Sequence, residues 1–444
     1  MLKTFRIGGI HPPEAKLSAD APIEVFHTTS TVTIPLGQHI GAPAEAVVKR
    51  GDSVKVGTLI GKSAGFISAN IHSSVSGKVV KIDDIVDASG YKKPAIYIEC
   101  DNEDTWEESI DRSSTLIKEC NLSSKEIIDK VAAAGIVGLG GATFPSHVKL
   151  MPPKDSKAEI LIINAVECEP YLTSDHRLML EYADEVLVGT SILMKAIGVD
   201  RAVIGIENNK KDAIALLTQK ASEYKGITIQ PLKVKYPQGG EKQLIDAVTK
   251  RAVKSGQLPI SEGAVVQNVG TAFAVYEAVQ KNKPLVERVV TITGKRLARP
   301  SNLMVRIGTP LSSLISHVGE IPAGTGKIVS GGPMMGKALA QTSSPVTKGT
   351  SGVLLLPKAD TKRKPMRNCI RCTKCVGVCP MGLNPAFLMR DVTFKNWDEA
   401  EKNNIVDCIE CGSCSFTCPA NRPLLDEIRL GKQKVMGIIR SRKS

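Results

Sequence analysis

The sequence predicts a multidomain protein that combines α/β and α+β architecture in four successive units. Three observations lead to this prediction. The start of the chain is rich in Gly, Val and Ile in short alternating runs, the middle alternates strand-like with helix-like segments, and two dense cysteine runs lie near the end. We place the four units at residues 1–105, 120–283, 284–357 and 358–430, with a basic tail at 431–444.

Composition and charge limit the classes of protein that fit this chain of 444 residues, which is 42% hydrophobic and 23% charged, as is usual for globular proteins. Aromatic residues make up only 4%, which argues against base-stacking platforms for single-stranded nucleic acid. Of the net charge of +13, +8 lies from Pro357 onward, where 17 Lys and Arg outnumber nine Asp and Glu. No apolar run approaches the roughly 18–20 residues of a membrane helix. We therefore expect a soluble or peripheral protein without a nucleic-acid partner.

The first unit is predicted to be a small β structure. The segments AEAVVKRGDSVKVGTLIGK and IHSSVSGKVVKI read as two related β-hairpin halves, with turns at Arg50-Gly51-Asp52 and Ser76-Gly77. These residues resemble biotinyl/lipoyl-type domains, in which such halves pack as a flattened barrel-sandwich. Those domains carry an acceptor lysine at the hairpin tip between the halves, but here the tip reads SAGFISAN. We therefore expect a docking or structural role for this unit rather than a swinging arm.

The second unit is predicted to contain a parallel sheet. SSKEIIDKVAAAG reads as a helix that leads into the glycine-rich loop GLGGATFP. Strands then alternate with helices of a length that suits crossover connections, which is typical of parallel α/β sheets. The strands are EILIINA, RAVIGI and ITIQPLKV, the helices are ADEVLVGTSILMKAIG and KKDAIALLTQKASEY, and GAVVQNVGTAFAVYEAVQKNK reads as a loop and a helix.

The last two units are predicted from shorter patterns. RVVTITGKRLARPSNLMVRIGTPLSSLISHVG suggests a hairpin followed by a helix, and therefore a small α+β module. Between the cysteine runs, PAFLMRDVTFKNWDEAEKNN has helical character. A spacer of this length favours a helical cysteine-bearing unit over a compact β-hairpin one.

The two cysteine runs share the spacing C-x2-C-x2-C-x3-C-P and are offset by 39 residues. A disulfide framework fits poorly, because we expect no secretory leader and a chain this long can bury its own core. Zinc sites usually split their ligands into two close pairs with a long spacer. The spacing instead matches the bacterial ferredoxin signature for [4Fe–4S] clusters, in which the fourth cysteine of each run ligates the other cluster. The predicted ligands are Cys369, Cys372, Cys375 and Cys418 for cluster one, and Cys408, Cys411, Cys414 and Cys379 for cluster two.

A second group of residues points to a ligand site in the α/β unit. The loop GLGGATFP is not a G-x-G-x-x-G fingerprint, since a helix rather than a strand precedes it. Its glycines still allow a close approach of the backbone, and consecutive N–H groups there could bind an anion. Polar residues occur in NAVECEP, YPQGGEKQ and VVQNVGT, the first two directly after predicted strands, where ligands bind in open α/β sheets. Taken singly, each stretch also fits a plain turn, a polar strand end or a helix cap.

In this order, the glycine loop, NAVECEP, GGE and NV-T resemble the FMN- and NADH-binding subunit of respiratory complex I. The order of all four units is similar to that of the RnfC proteins, the C components of Rnf complexes, which are ion-translocating ferredoxin:NAD oxidoreductases. The resemblance spans nearly the full chain. It implies a Rossmann-like flavin and nucleotide domain, a β-grasp module of the SLBB type and an α-helical ferredoxin domain with two clusters.

The resemblance also implies roles for single residues of the α/β unit. Those that would cradle the flavin and its phosphate are Gly138, Gly140, Gly141 and Lys149, with Phe144 near the nicotinamide or flavin face. Those that would hold flavin atoms are Asn164, Glu167, Asn268 and Thr271. Those that would contact the flavin–nucleotide region are Glu169, Gly240 and Glu241.

By resemblance, the chain is an enzyme subunit that exchanges electrons between NAD(H), FMN and two [4Fe–4S] clusters. Flavin suits this exchange because it accepts a hydride and releases single electrons, and no catalytic acid is needed. The expected partners are other subunits of a membrane complex that moves Na+ or H+, including an iron–sulfur subunit that exchanges electrons with ferredoxin. The expected location is the cytoplasmic side of the inner membrane, as a peripheral protein.

Two other functions stay open from the sequence. A soluble flavin and iron–sulfur cobalamin reductase of a microcompartment shares this order of domains. A non-enzymatic iron–sulfur adaptor without flavin and nucleotide is suggested by three departures from the complex I pattern. These departures are Val166, Lys242 and Gly270, at positions where that family has acidic residues.

Overall fold

The computed structural model describes residues 2–28, 31–153 and 155–442. Within these ranges, no helix combines the length and the apolar character that crossing a membrane requires. The strands form four sheets, which agrees with the predicted combination of α/β and α+β architecture.

The first unit contains two small antiparallel sheets. Strand β1 (Ile23–Val25) comes first in the chain but belongs to another sheet. The strands of the two small sheets are β2 (Val32–Pro35), β3 (Glu45–Ala46), β4 (Ser53–Val54), β5 (Leu59–Lys62), β6 (Ile71–His72), β7 (Gly77–Val86) and β8 (Lys92–Cys100). One sheet has the order β2-β8-β7-β4 and the other β3-β5-β6. The two predicted hairpins are wrong, because the turns at 50–52 and 76–77 each pass from one sheet to the other. Crossing between the sheets lets Ile60, Val79 and Ile98 share one core, which a pair of separate hairpins would leave open.

The second unit contains the predicted parallel sheet, with strand order β11-β10-β9-β12. The prediction of a loop at GAVVQN is wrong, since this stretch is the edge strand β12, where buried Ala264–Val266 pair with β9. The elements are α1 (Ser124–Ala133), α2 (Ser146–Lys149), β9 (Ile160–Asn164), α3 (Ser174–Glu181), α4 (Ala183–Ile197), β10 (Ala202–Glu207), α5 (Lys211–Ala221), β11 (Ile227–Leu232), α6 (Glu241–Thr249), a short 3-10 helix (Pro259–Glu262), β12 (Ala264–Asn268) and α7 (Val269–Gln280).

The third unit forms a six-stranded sheet with the order β1-β14-β13-β17-β15-β16. The predicted hairpin and helix are present as the antiparallel pair β13–β14, followed by α8. Strand β1 joins this sheet parallel to β14, so the start of the chain contributes an edge strand to the sheet of the third unit. The elements are β13 (Glu287–Thr293), β14 (Ser301–Arg306), α8 (Leu311–Val318), β15 (Thr325–Ser330), β16 (Lys337–Ala338) and β17 (Gly352–Pro357).

The cysteine-bearing unit is helical, as the sequence predicts. Its last helix, α14, continues across residue 430, where we placed a boundary, because Ile428 and Val435 pack into the same core as Leu388 and Val392. The helices are α9 (Lys358–Thr361), α10 (Lys374–Gly377), α11 (Pro385–Thr393), α12 (Trp397–Lys402), the short 3-10 helix (Ile405–Asp407), α13 (Ser413–Thr417) and α14 (Leu424–Ser441).

The N-terminal segment connects the α/β sheet with the cysteine-bearing unit. Ile10 forms a bridge with Tyr236, and the amide of Gly9 donates to the carbonyl oxygen of Val378 at 2.9 Å. A Cβ atom on Gly8 would lie 2.5 Å from the carbonyl oxygen of Cys379, so only glycine permits this approach. The segment therefore fixes the second cysteine set, which is Cys379, Cys408, Cys411 and Cys414, against the α/β unit through Cys379.

Candidate functional site

Two asparagines close the carboxyl edge of the parallel sheet. Asn164 and Asn268 are the last residues of β9 and β12 and are partners in register. The Asn268 amide donates to Asp175 Oδ2 at 2.8 Å and accepts from the Gly270 amide at 2.9 Å, while Asn164 Nδ2 donates to the Gly239 carbonyl at 2.8 Å. These bonds gather several connecting segments at the sheet edge where open α/β folds bind ligands.

The glycine-rich loop lies beside this edge and is closed by internal hydrogen bonds. The Gly138 amide donates to the Phe144 carbonyl at 2.9 Å, and the Leu139 amide donates to Thr271 Oγ1 at 3.0 Å. A Cβ atom on Gly140 would lie 2.6 Å from Asn268 Nδ2, so this position needs glycine. Thr271 is fully buried and thus holds the loop in place from below.

The outer side of the same loop offers unpaired backbone donors. The amides of Gly140, Gly141 and Ala142 donate to no acceptor within the described residues. All three residues are exposed, and a Cβ atom on Gly141 would meet nothing within 4 Å. A run of free amides beside open space suits an anion such as a phosphate group.

Lys149 and Glu241 face each other at this edge. Lys149 Nζ lies 2.7 Å from Glu241 Oε1 and also donates to the Val266 carbonyl at 3.2 Å. Both side chains are partly exposed, and ion pairs of this kind contribute only about 0.2–1 kcal/mol. A charged ligand can therefore compete for either partner. A Cβ atom on Gly240, which precedes α6, would overlap Gln243 Oε1, so a larger residue there would require the Gln243 side chain to move.

Glu167 has its carboxylate engaged at the start of α3. It accepts hydrogen bonds from the Asp175 amide at 2.7 Å, the His176 amide at 3.2 Å and Ser174 Oγ at 3.3 Å. This carboxylate thus stabilises the positive end of the helix. The backbone of Glu167 has a positive φ of 47°, so the turn after β9 is tight.

Glu169 faces the third unit instead of the glycine loop. Its carboxylate accepts from the Met335 amide at 2.7 Å and from the Met334 amide at 3.2 Å. Burial raises the pKa of Glu169 to about 7. Met334 also packs against the cysteine-bearing unit, through its carbonyl oxygen near Gly412. Glu169 therefore links the turn after β9 to a loop that contacts the second cysteine set.

Several charged residues lie near the site although the sequence analysis did not predict them as site residues. Lys16 Nζ donates to the carbonyls of Glu167 at 2.8 Å and Glu169 at 2.9 Å, and so fixes the turn after β9 from the N-terminal segment. Burial, with the nearby Glu167, raises the pKa of Asp175 to about 7, and burial lowers the pKa of Arg288 to about 10. The one sequence feature that could have indicated Asp175 is its position as an acidic residue in the first turn of α3, where acidic residues are favoured.

The three departures from the complex I pattern have local structural roles. Val166 is fully buried in the apolar core on one side of the sheet. Lys242 Nζ donates to the Lys254 carbonyl at 3.0 Å, and Gly270 packs near Asn268. The sheet edge therefore carries less negative charge than three acidic residues would supply.

The second cysteine set lines one cavity. Its wall is otherwise mostly apolar, with Leu388, Leu425 and Ile428 among the lining residues. No three His, Cys, Asp or Glu side chains of the described ranges stand close enough to share a single metal ion. Thiols around a cavity, rather than around a point, fit a multi-iron cluster with its own inorganic core. The four thiols are those of Cys379, Cys408, Cys411 and Cys414.

The pKa values of two of these thiols, Cys408 and Cys414, support the same fit. Burial raises the pKa of Cys408 to about 11 and that of Cys414 to about 12. Thiolates in this cavity are therefore unfavourable unless positive charge compensates them, and iron supplies such charge.

The first cysteine set is more open. Cys369 and Cys372 are exposed, whereas Cys375 and Cys418 are partly buried and pack against the same small core as Met389. We call Cys379, Cys408, Cys411 and Cys414 the inner cysteines, and Cys369, Cys372, Cys375 and Cys418 the outer cysteines.

The inner cysteines adjoin the loop that runs along the sheet edge. The buried Tyr236 donates from its hydroxyl to the Cys411 carbonyl at 2.8 Å. Three residues later, the Gly239 amide donates to Cys168 Sγ at 3.4 Å, and Gln243 Nε2 donates to the Pro380 carbonyl at 3.2 Å. The loop thus borders the candidate ligand site on one side and the inner cysteines on the other.

Comparison with known families divides the chain in the same order. Residues 3–103 match the RnfC barrel sandwich hybrid domain, and residues 131–277 match the Nuo51 FMN-binding domain. Residues 289–338 match the SLBB domain, and residues 361–422 match the 4Fe-4S dicluster domain.

Curated relatives resemble nearly the whole chain. The C component of the proton-translocating ferredoxin:NAD(+) oxidoreductase complex from Clostridium ljungdahlii is 48% identical over 98% of this chain and 94% of its own length. Its Na(+)-translocating counterpart from Acetobacterium woodii is 45% identical over 98% of this chain and 97% of its own. The C component of the ion-translocating oxidoreductase complex of Rhodobacter capsulatus is 42% identical over 98% of this chain and 84% of its own.

Proposed function

Because this chain belongs to the RnfC family, the C components of Rnf complexes, we propose that it exchanges electrons between NAD(H), FMN and two [4Fe–4S] clusters. It does so as a subunit of an ion-translocating ferredoxin:NAD oxidoreductase. The observation that carries this proposal is the contact between the sheet edge and the inner cysteines through Tyr236. Electrons that arrive at one site have a short covalent and hydrogen-bonded connection to the other.

The sheet edge holds FMN and the nicotinamide nucleotide in this proposal. The free amides of Gly140 and Gly141, together with Lys149, bind the flavin phosphate, and Gly138 fixes the shape of the loop through its bond to the Phe144 carbonyl. Asn164, Asn268 and Thr271 keep the sheet edge and the loop in the binding arrangement. Bound flavin supplies the change from two-electron hydride chemistry to single electrons.

The remaining predicted residues position the site. Glu167 fixes the turn after β9, and Glu169 ties that turn to the third unit. Gly240 and Glu241 form the start of α6 opposite Lys149, where they border the nucleotide, and Phe144 flanks it from the glycine loop.

The two cysteine sets act in a fixed order in this proposal. The inner cysteines hold the cluster nearest the flavin, because they adjoin Tyr236 and the N-terminal segment. The outer cysteines hold the cluster nearest the surface, because Cys369 and Cys372 are exposed. Electrons therefore enter or leave the chain at the outer set.

The partners in this proposal are the other subunits of the membrane complex. One is an iron–sulfur subunit that exchanges electrons with ferredoxin, and membrane-spanning subunits move Na+ or H+. This chain is peripheral, on the cytoplasmic side of the inner membrane. Within the described residues it has no helix of its own with which to cross that membrane.

Anaerobic purification followed by NADH titration tests the proposal. We expect iron, inorganic sulfide and FMN in the protein, and cluster signals in electron paramagnetic resonance (EPR) after NADH is added. A preparation without iron and sulfide would contradict it. Protein with both clusters but no FMN, even when FMN is supplied, would favour the adaptor function, to which Val166, Lys242 and Gly270 point.

A further inference from the structure

Lys348 of the third unit is buried and contacts both of the preceding units. Its ammonium donates to the Asn70 carbonyl at 2.8 Å and to the Gly135 carbonyl at 2.7 Å. Its backbone amide donates to Gln38 Oε1 at 2.9 Å. Burial alone lowers the pKa of Lys348 to about 7, so no carboxylate of the described ranges compensates the charge. A buried ammonium is unfavourable unless its hydrogen bonds are made, so these bonds determine where the side chain can lie.

The tip of the first unit, at residues 63–70, lies on one side of this contact. It is the segment SAGFISAN, which joins β5 to β6 at the place where biotinyl/lipoyl-type domains carry the acceptor lysine. Asn70 ends the tip, and its Nδ2 donates to the Ala133 carbonyl in α1 at 3.1 Å, while its Oδ1 accepts from the Ser63 amide at 3.0 Å. A Cβ atom on Gly135, which has a φ of 64°, would overlap the Asn70 carbonyl oxygen, so only glycine permits this approach. The tip therefore packs directly on the end of α1.

The same part of the third unit also contacts the glycine-rich loop. The buried Arg288 donates from Nη1 to the carbonyl oxygens of Lys348 and Leu139, the latter at 3.4 Å. A Cβ atom on Gly349 would lie 2.8 Å from Thr143 Cγ2, so the residue after Lys348 lies against the loop itself. The Lys348 ammonium thus bonds the chain just before the loop, and Arg288 bonds it within the loop. Two buried cations of the third unit therefore hold the entry to the loop.

We propose that the tip at residues 63–70 is a brace that positions the glycine-rich loop for the flavin phosphate, and that Lys348 is the positioning residue that connects the brace to the loop. This inference rests on the proposed function and gives the first unit a part in the flavin site. A glycine-rich backbone loses much freedom when it becomes ordered, so a loop that is held before the phosphate arrives binds it more tightly. The tip acts by being fixed, whereas the corresponding lysine of biotinyl/lipoyl-type domains acts by moving.

A positioning role at the phosphate has a specific consequence for the flavin. The phosphate of FMN is remote from the ring that carries the electrons, and the loop meets the same phosphate in both redox states. Loosening the loop should therefore weaken the binding of oxidised and reduced FMN by the same factor. Because the midpoint potential of the bound flavin depends on the ratio of these two affinities, it should stay unchanged. A change that disturbed the binding of the ring would move the potential instead.

Lys348→Met tests the proposal on the full-length, cluster-loaded protein, because it keeps the length of the side chain but deletes both ammonium bonds. We expect the Kd for FMN to rise about tenfold, measured by fluorescence titration of protein from which the flavin has been removed. In the same flavin-free protein, the peptide that covers residues 135–149 should exchange its amide hydrogens faster, measured by mass spectrometry. The midpoint potential of the bound flavin should equal that of the unmodified protein.

Lys337→Met is the matched control, because Lys337 also connects the third unit with the first, through a bond to Ser89 Oγ at 2.8 Å, but at an exposed position. It should leave the FMN affinity and the hydrogen exchange unchanged. Asn70→Ala is a second variant, which keeps Lys348 and removes the bond between the tip side chain and α1. It should raise the Kd for FMN about threefold, and it decides the question if Lys348→Met does not fold. Iron contents and melting temperatures are compared for all variants.

The outcomes separate this inference from the proposed function. A folded Lys348→Met protein with the FMN Kd or the exchange rate of the unmodified protein would overturn the inference while the proposed function stands. So would a shifted midpoint potential, which would place the effect of Lys348 on the flavin ring. An unchanged FMN Kd in Asn70→Ala would show that the tip is not a brace. Unmodified protein that binds no FMN when FMN is supplied would contradict the proposed function itself.

Discussion

The hydroxyl of Tyr236 donates a 2.8 Å hydrogen bond to the carbonyl oxygen of Cys411. Tyr236 is buried, and it begins the loop that borders the sheet edge, while Cys411 belongs to the inner cysteines. Cys168, on the turn after β9, packs against the same small apolar cluster as Tyr236 and Cys411. The α/β unit and the cysteine-bearing unit therefore meet at the point where the proposed function requires electrons to pass.

Removing that hydroxyl should weaken the connection without opening the core. Tyr236→Phe keeps the ring and its packing but deletes one buried hydrogen bond, which is worth about 0.5–1.5 kcal/mol. We expect slower reduction of the inner cluster after NADH is mixed with the protein, measured by rapid-freeze EPR, with little loss of iron. Tyr276→Phe is the control, because that hydroxyl accepts from the Ile117 amide at 3.3 Å, away from the cysteines. Equal reduction rates in both variants would contradict the role given to Tyr236.

Adding one methyl group at Gly140 should disrupt the glycine-rich loop. A Cβ atom there would lie 2.6 Å from Asn268 Nδ2, so either the loop or the asparagine has to move. Gly140→Ala should lower the melting temperature of the α/β unit and release FMN, measured by scanning calorimetry and by flavin fluorescence after gel filtration. Gly141→Ala is the control for stability, since its Cβ atom would meet nothing within 4 Å. A Gly140→Ala protein as stable as this control would refute the close approach.

The spacing of the cysteines and the strand patterns predicted much of the fold. The sequence repeats C-x2-C-x2-C-x3-C-P as a local pattern, and strands such as β9 and β10 are short apolar runs followed by polar residues. Such features need no knowledge of distant residues, because ligand spacing and strand periodicity are written in neighbouring positions.

Long-range pairings account for most of what the sequence did not reveal. Asp175 meets the Asn268 amide across 93 positions, and Lys16 reaches the Glu167 carbonyl across 151. The same reason explains the wrong hairpins in the first unit, since the turns at 50–52 and 76–77 look local but connect two sheets. Sequence patterns predict single strands and helices. Which strands and helices then pack together depends on which apolar faces remain to be buried.

Loss of an inner cysteine should remove one cluster and leave the other. Cys411→Ser takes one thiol from the inner cavity, whereas the outer cysteines keep all four of theirs. We expect about half of the iron and sulfide, with one of two EPR signals retained, because each cluster uses four thiolates. Cys168→Ser should keep the full iron content, since its thiol is bonded to the Gly239 amide and lies outside the cavity wall. Unchanged iron in Cys411→Ser would contradict the ligand assignment.

The buried carboxyl of Glu169 should make the contact with the third unit depend on pH. Burial raises the folded-state pKa to about 7, above the ordinary value of 4.5. Between these values the folded state holds the proton of Glu169 more tightly than the unfolded state does. The stabilisation that the protonated Glu169 carboxyl contributes is therefore fully present below pH 4.5 and is lost as the pH rises through 7. We expect the melting temperature of the loaded protein to fall over this range, and Glu169→Gln, which stays neutral, to reduce the slope. Glu99→Gln, at an exposed position in β8, is the control and should leave the slope as it is. A steeper fall in Glu169→Gln than in the unmodified protein would show that the carboxyl is charged in the folded state throughout.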